Sequence, residues 1–119
     1  MNFKETITSI PNYNDGCFYL YKISQNQEDI YPLDKLEKVL DKPIYYEELS
    51  ITDKLRFIAS ERDVDIRMKI RIPQTKEINS LNVLKIGEHY YKVFNAYHFT
   101  NQDGFKQTDL TLIDYKKRG

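Results

Sequence analysis

Residues 64–72 read Val-Asp-Ile-Arg-Met-Lys-Ile-Arg-Ile, and this alternation of apolar and charged side chains constrains the fold more than any other stretch of the chain. Successive side chains of a β-strand point to opposite faces, so a strand is the one regular structure that separates the two sets. Val64, Ile66, Met68, Ile70 and Ile72 belong on a buried face, and Asp65, Arg67, Lys69 and Arg71 on a wet one. Pro73 ends the run, and Gln74 to Ser80 reads as loop.

Other segments supply partners for this strand. Phe3 to Ile10 is apolar and β-branched and stops at Pro11. Asn12-Tyr13-Asn14-Asp15-Gly16 is turn chemistry, and Cys17 to Ile23 alternates again, which predicts a first hairpin. Ile44 to Leu49 is a further strand. Leu81 to Ile86 and His89 to Phe99 flank Gly87-Glu88, and glycine at the first turn position suits the mirror-image turn of a tight hairpin. Asn101-Gln102-Asp103-Gly104 connects to a last strand over Phe105 to Tyr115, and Lys116 to Gly119 is a basic tail expected to be mobile.

Two helices are predicted. Pro32 can open the first, in which Leu33, Leu36, Val39 and Leu40 recur at helical spacing and Asp34 and Lys38 form an i,i+4 pair, before Pro43. Ser50-Ile51-Thr52-Asp53 reads as an N-cap followed three residues later by an acid, with Ile51, Leu55, Ile58 and Ala59 on one face and Arg62-Asp63 closing the helix. Short strands, tight turns and two helical interruptions predict a mainly β fold: a small β-barrel with one or two short helices in its connections, as one domain over residues 1–119. Closure removes exposed strand edges.

The net charge is zero over 119 residues, so nothing pulls the chain strongly onto nucleic acid. Charge is uneven along the sequence: residues 1–60 carry 7 basic and 10 acidic side chains, a net −3, and residues 61–119 carry 11 and 8, a net +3. Opposite ends of opposite sign suit head-to-tail association of identical copies; drift in composition produces the same numbers. Ten Tyr, six Phe and no Trp favour strands and interfaces. Cys17 stands alone, which excludes an internal disulfide and a cysteine-based zinc site and fits a reducing cytoplasm. The start of the sequence has no apolar run of signal-peptide length, and no stretch approaches a membrane span.

No catalytic centre is legible. His89 and His98 lie nine positions apart on one strand, too far to share an ion within a subunit, and read as structural or solvated. Glu47 and Glu48 point to opposite faces of a strand, a geometry unsuited to two-carboxylate catalysis. The glycines of the hairpin turns are accounted for there, and no phosphate loop is present. No enzyme activity and no cofactor are expected. The row Arg67, Lys69, Arg71 has two readings: a solvent face kept soluble by charge, or, beside tyrosines, a nucleic-acid surface of the small-barrel type.

Several runs carry a family resemblance. These are Tyr45-Tyr46-Glu47-Glu48-Leu49-Ser50, the helical stretch with Glu61, the alternating strand Ile66 to Arg71, the hairpin Leu84 to Val93, Asn95 to Phe99, and Asp103-Gly104-Phe105 through Leu112. Together they resemble phage head–tail joining proteins, the head-closure, stopper or head–tail adaptor family of long-tailed phages. The segment Pro32 to Asp41 departs from the usual pattern as an insertion. The resemblance implies a small barrel with a helix-bearing excursion, acting without covalent chemistry. Such a protein forms a ring below the portal and adaptor in the virion neck, after synthesis in the host cytoplasm. It retains packaged double-stranded DNA and offers a docking surface to tail proteins. On this reading Arg67, Lys69 and Arg71 face the DNA channel. The gate falls in the excursion, with Ser50, Thr52, Asp53, Lys54, Arg56 and Arg62. A ring needs contacts between two different faces, for which Tyr45, Tyr46, Tyr90 and Tyr97 are the candidates. The competing reading is a small barrel that binds single-stranded nucleic acid or a protein partner.

Overall fold

A computed structural model describes residues 10–25 and 34–115. Seven strands, β1 (Gly16–Gln25), β2 (Asp34–Lys38), β3 (Ile44–Leu49), β4 (Ile66–Pro73), β5 (Asn82–Ile86), β6 (His89–Thr100) and β7 (Lys106–Asp114), and one helix, α1 (Asp53–Ser60), make up the fold. All strand pairs are antiparallel. The order β1-β3-β4-β7-β6-β5 closes on itself because β5 also pairs with β1, Leu84 opposite Leu20. The fold is thus mainly β: a closed six-stranded barrel with one short helix in its connections.

Direct cross-strand partners point to the same face, so the register assigns the interior. Phe18, Leu20, Tyr46, Ile70, Ile72, Leu84, Val93, Leu110 and Leu112 fill it, with Ile78 entering from the loop between β4 and β5. At one end Thr108 Oγ1 accepts from the Thr75 backbone amide (3.1 Å) and lies 2.7 Å from His98 Nδ1. His98 is therefore held inside the barrel end, while His89 is exposed at the other end of β6.

The expected helix over Pro32 to Asp41 is corrected. Residues 34–38 form β2, with Leu36 opposite Ile23 and Lys38 opposite Tyr21. Helical spacing of Leu36, Val39 and Leu40 loses to pairing with β1, which extends beyond the barrel and offers an edge. β2 and β3 lie along the same edge of β1, and the register steps by three residues between them, so that residues 39–43 stand opposite Tyr19 and Leu20. They act as one interrupted strand, and Val39 N still donates to Leu20 O at 2.9 Å. The expected strand before Pro11 and the basic tail lie outside the described residues.

The second helix forms, but two residues later than the cap at Ser50 implies. Thr52 is its N-cap, with Oγ1 accepting from Leu55 N at 3.2 Å, which puts Asp53 in the first turn where a carboxylate is favoured. It ends in a Schellman arrangement: Val64 N donates to Ala59 O (2.9 Å), Asp63 N to Ser60 O (3.1 Å), and Asp63 takes φ 55° where glycine is usual. Ala59 is the one buried residue of the helix.

The alternation over 64–72 is interrupted too. Ile66 pairs with Ile113 and Met68 with Leu112, so Arg67 occupies a β-bulge. Leu112 faces the interior, which puts Ile113 and Ile66 on the outer face. Ile66 is buried there, apart from the main core, and lines a shallow groove of about 430 Å³ with Arg56 and Ser60 of α1. A second bulge, at Phe94, does the same to β6: Val93 faces Leu112 and Asn95 faces Thr111.

The two hairpin turns form as expected. Gly87 has φ +60° and Glu88 does not share the positive value, the pattern of a type II′ turn between Ile86 and His89. Gly16 serves another purpose. A Cβ there would stand 2.5 Å from the Tyr46 Oη and 2.7 Å from its Cζ, so the absent side chain makes room for the Tyr46 ring. Asp15 completes this corner, accepting from Glu48 N at 2.7 Å through Oδ2 and donating its own amide to Tyr46 O at 3.0 Å. Burial, reinforced by the nearby Glu48, raises the Tyr46 phenol above its ordinary pKa. Because Tyr46 is packed against Phe18 inside the barrel, Gly16→Ala should destabilise the fold by about 1–3 kcal/mol, the cost of overpacking a filled site. A urea midpoint indistinguishable from that of the parent would contradict this packing.

Candidate functional site

The sheet register builds an outer surface on β3, β4, β7 and β6 from rows of side chains. Glu47, Arg71, Asp109 and Tyr97 form one row, Leu49, Lys69, Thr111 and Asn95 a second, and Pro73, Gln107 and Phe99 a third. The β7 members of these rows, Gln107, Asp109 and Thr111, are buried although they point away from the interior. Long side chains from the flanking strands and the segment before β1 cover them. Gln107 Nε2 donates to Tyr13 Oη at 3.0 Å. Gln74 Nε2 donates to Phe99 O at 3.1 Å.

At the centre Arg71 grips Asp109 with a fork of two hydrogen bonds, Nε to Oδ1 at 2.7 Å and Nη2 to Oδ2 at 3.0 Å. Such bidentate pairs combine charge with fixed geometry. The bonds to Asp109 raise the guanidinium pKa above its already high ordinary value, against the opposing effect of burial. The other side of the fork is aromatic. The Arg71 guanidinium lies 5.0 Å from the Phe99 ring centre, and Phe99 stacks on Tyr97 at 5.4 Å with 14° between the planes. Tyr97, Phe99 and Arg71 form one stack, fixed at its inner end to a buried carboxylate.

The three cations expected on one strand face are placed differently from one another. Lys69 and Arg71 share the outer face. Arg67 stands in the bulge, bonded through Nε to Asp114 Oδ2 at 2.9 Å and 3.6 Å from Asp65 Oδ2. Two of the three charges are therefore matched by carboxylates, and among the described residues Lys69 alone of the row has no ion pair. The excursion residues Ser50, Thr52, Asp53, Lys54, Arg56 and Arg62 are all exposed around α1. Tyr45 and Tyr97 are 59% and 60% exposed, and Tyr90 sits at 36%. Tyr46, expected at the same interface, is only 5% exposed because its ring packs inside the barrel, so it does not face a second copy. Tyr45 lies on β3 and Tyr97 on β6, strands separated by β4 and β7 on one way round the barrel and by β1 and β5 on the other.

The two sequence halves do not mix: their strands form contiguous blocks, β2-β1-β3 and β4-β7-β6-β5, that meet at the β3–β4 and β5–β1 seams. Asp109 and Phe99 were missed in the sequence. The signal was there: an acid inside Thr108 to Ile113, a run otherwise of apolar and β-branched residues, has to meet a cation if the strand is buried on both faces. Among the described residues no group of three His, Cys, Asp or Glu side chains converges as metal ligands. Neither the protein-family models nor the curated proteins match this chain.

The Asp109 side chain is 10% exposed and that of Arg71 31%. Removing Arg71 strands a buried carboxylate, a change worth about 3–5 kcal/mol for a fully buried pair and less here, because Arg71 is partly solvated. Arg71→Ala should therefore cost about 2 kcal/mol, more than Lys69→Ala at the neighbouring row position. Equal denaturation midpoints for the two variants would show that the fork does not support β7.

Proposed function

We propose that this protein is a ring-forming connector of the phage head–tail neck, retaining packaged DNA below the portal and adaptor and presenting a docking surface to the tail. The observation that carries this reading is the exposed excursion of residues 50–65 between β3 and β4, standing on a closed barrel. Two sheet-adjacent strands that a tight turn could join are instead linked by a capped helix with a single buried residue, Ala59. Such an element contributes little to the core and fits a part that works against something outside the subunit.

The barrel supports the reading in two further ways. Closure leaves the six barrel strands without free edges, so copies that meet on the barrel wall do so through side chains. Tyr45 on β3 and Tyr97 on β6 are largely exposed aromatics on strands that do not neighbour each other, and a ring requires two unlike faces. The pairing of Arg67 and Arg71 with carboxylates suits a channel wall that must let DNA pass, since each free cation adds to phosphate affinity.

Concentrated protein should form annular particles of one diameter in electron micrographs. Particles lacking a central opening, or single subunits throughout, would overturn the reading. Deleting Asp53 to Ser60 should leave the barrel folded, with its β circular-dichroism spectrum retained. Loss of that spectrum would make the excursion part of the core instead of a gate.

A further inference from the structure

The outer face opposite the Arg71 stack is built from different chemistry. On β2, β1, β5 and β6 the register sets Lys38 beside Tyr21, Tyr19 beside Lys85, and Lys85 beside Tyr90, with Lys92 following across Val83. Tyrosines and lysines alternate as on a checkerboard. Lys38 Nζ lies 4.3 Å from the Tyr19 ring centre and Lys85 Nζ 5.6 Å from that of Tyr90. The Tyr21 and Tyr90 rings meet edge to face at 6.1 Å. Val83 shares their face and is fully buried, so the rings rest on a packed floor.

The contrast with β4 is the decisive feature. Arg67 and Arg71 each hold a carboxylate, whereas none of Lys38, Lys85 and Lys92 has an acid within ion-pair distance among the described residues. Three unneutralised ammonium groups interleaved with three rings complement a flexible polyanion that also carries flat apolar surfaces. An acidic peptide would satisfy the lysines and leave the rings unexplained. A duplex would do the same, because its bases are stacked inward. The geometry assigns this face to single-stranded nucleic acid, with bases against Tyr19, Tyr21 and Tyr90 and phosphates against Lys38, Lys85 and Lys92. This goes beyond the neck-ring reading and moves the nucleic-acid contact from β4 to the other side of the barrel.

The chain has no Trp, so tyrosine fluorescence reports directly on stacking. Titration with an oligothymidylate of about a dozen nucleotides should quench it. The logarithm of the binding constant should fall against the logarithm of salt with a slope of about −2, the value for three phosphates on a single strand. Lys38→Ala should shallow that slope by about 0.7. Tyr21→Leu and Tyr90→Leu, which keep bulk over Val83, should each weaken binding about fivefold or more. Lys69→Ala on the far side should change nothing. On the unaltered protein, NMR shifts on binding should concentrate at Tyr19, Tyr21 and Tyr90, a readout independent of any variant's folding. Absence of binding at low salt, equal affinity for a duplex with no loss in the Tyr variants, or full competition by polyglutamate would each overturn the assignment. Any of these outcomes leaves the neck-ring reading standing, because that reading does not use this face to bind nucleic acid.

Discussion

Strand β7 is buried on both faces, and the rest of the molecule is arranged around that condition. Its inward residues Thr108, Leu110 and Leu112 join the core, while its outward residues Gln107, Asp109 and Thr111 lie under a second layer. A polar side chain can be removed from water only if its hydrogen bonds are replaced. Arg71, Tyr13 and Gln74 supply the replacements around this strand, and no buried side-chain donor or acceptor among the described residues lacks a partner. The Arg71–Asp109 fork is thus a structural element first. The stack it carries, Phe99 and then the largely exposed Tyr97, is rigid because its base is fixed.

This changes what the surface can do. A row of three cations on β4 looked like a phosphate-binding strip, but bulge geometry and two ion pairs leave Lys69 as its single unpaired charge. What remains prominent on that side is aromatic. Tyr and Arg anchored in desolvated settings dominate the energetics of many interfaces, and a ring held by such residues depends on shape more than on charge. On this account copies associate through Tyr45 and Tyr97, while the lysine-rich face remains open to a polyanion.

Much of the barrel was legible in the sequence. Period-two alternation located β4, turn residues located the hairpin at Gly87, and the capping pattern found α1 to within two residues. The failures share one physical origin, pairing between distant segments. Leu36, Val39 and Leu40 have helical spacing, yet β1 offered an edge and took Leu36 into a strand. Ile66 alternates perfectly with Met68, yet a bulge turns it to the other face, under the helix side of the sheet. Gly16 reads as a turn residue, and its role is to admit the Tyr46 ring. Tyr46 was placed at an interface by composition, although local sequence cannot tell an inward tyrosine from an outward one when both neighbours, Tyr45 and Glu47, are amphipathic. The lysine–tyrosine checkerboard is assembled from β2, β1, β5 and β6, so no window of sequence contains it.

Central to the account is association driven by exposed aromatics on a barrel whose two β4 arginines are already matched by carboxylates. Light scattering of the protein over a wide concentration range, at low and at high salt, tests this directly. The account predicts a rise in mass to one multiple of the subunit mass that persists when salt is raised. A subunit mass that never changes, or an assembly that dissolves with added salt, would contradict it.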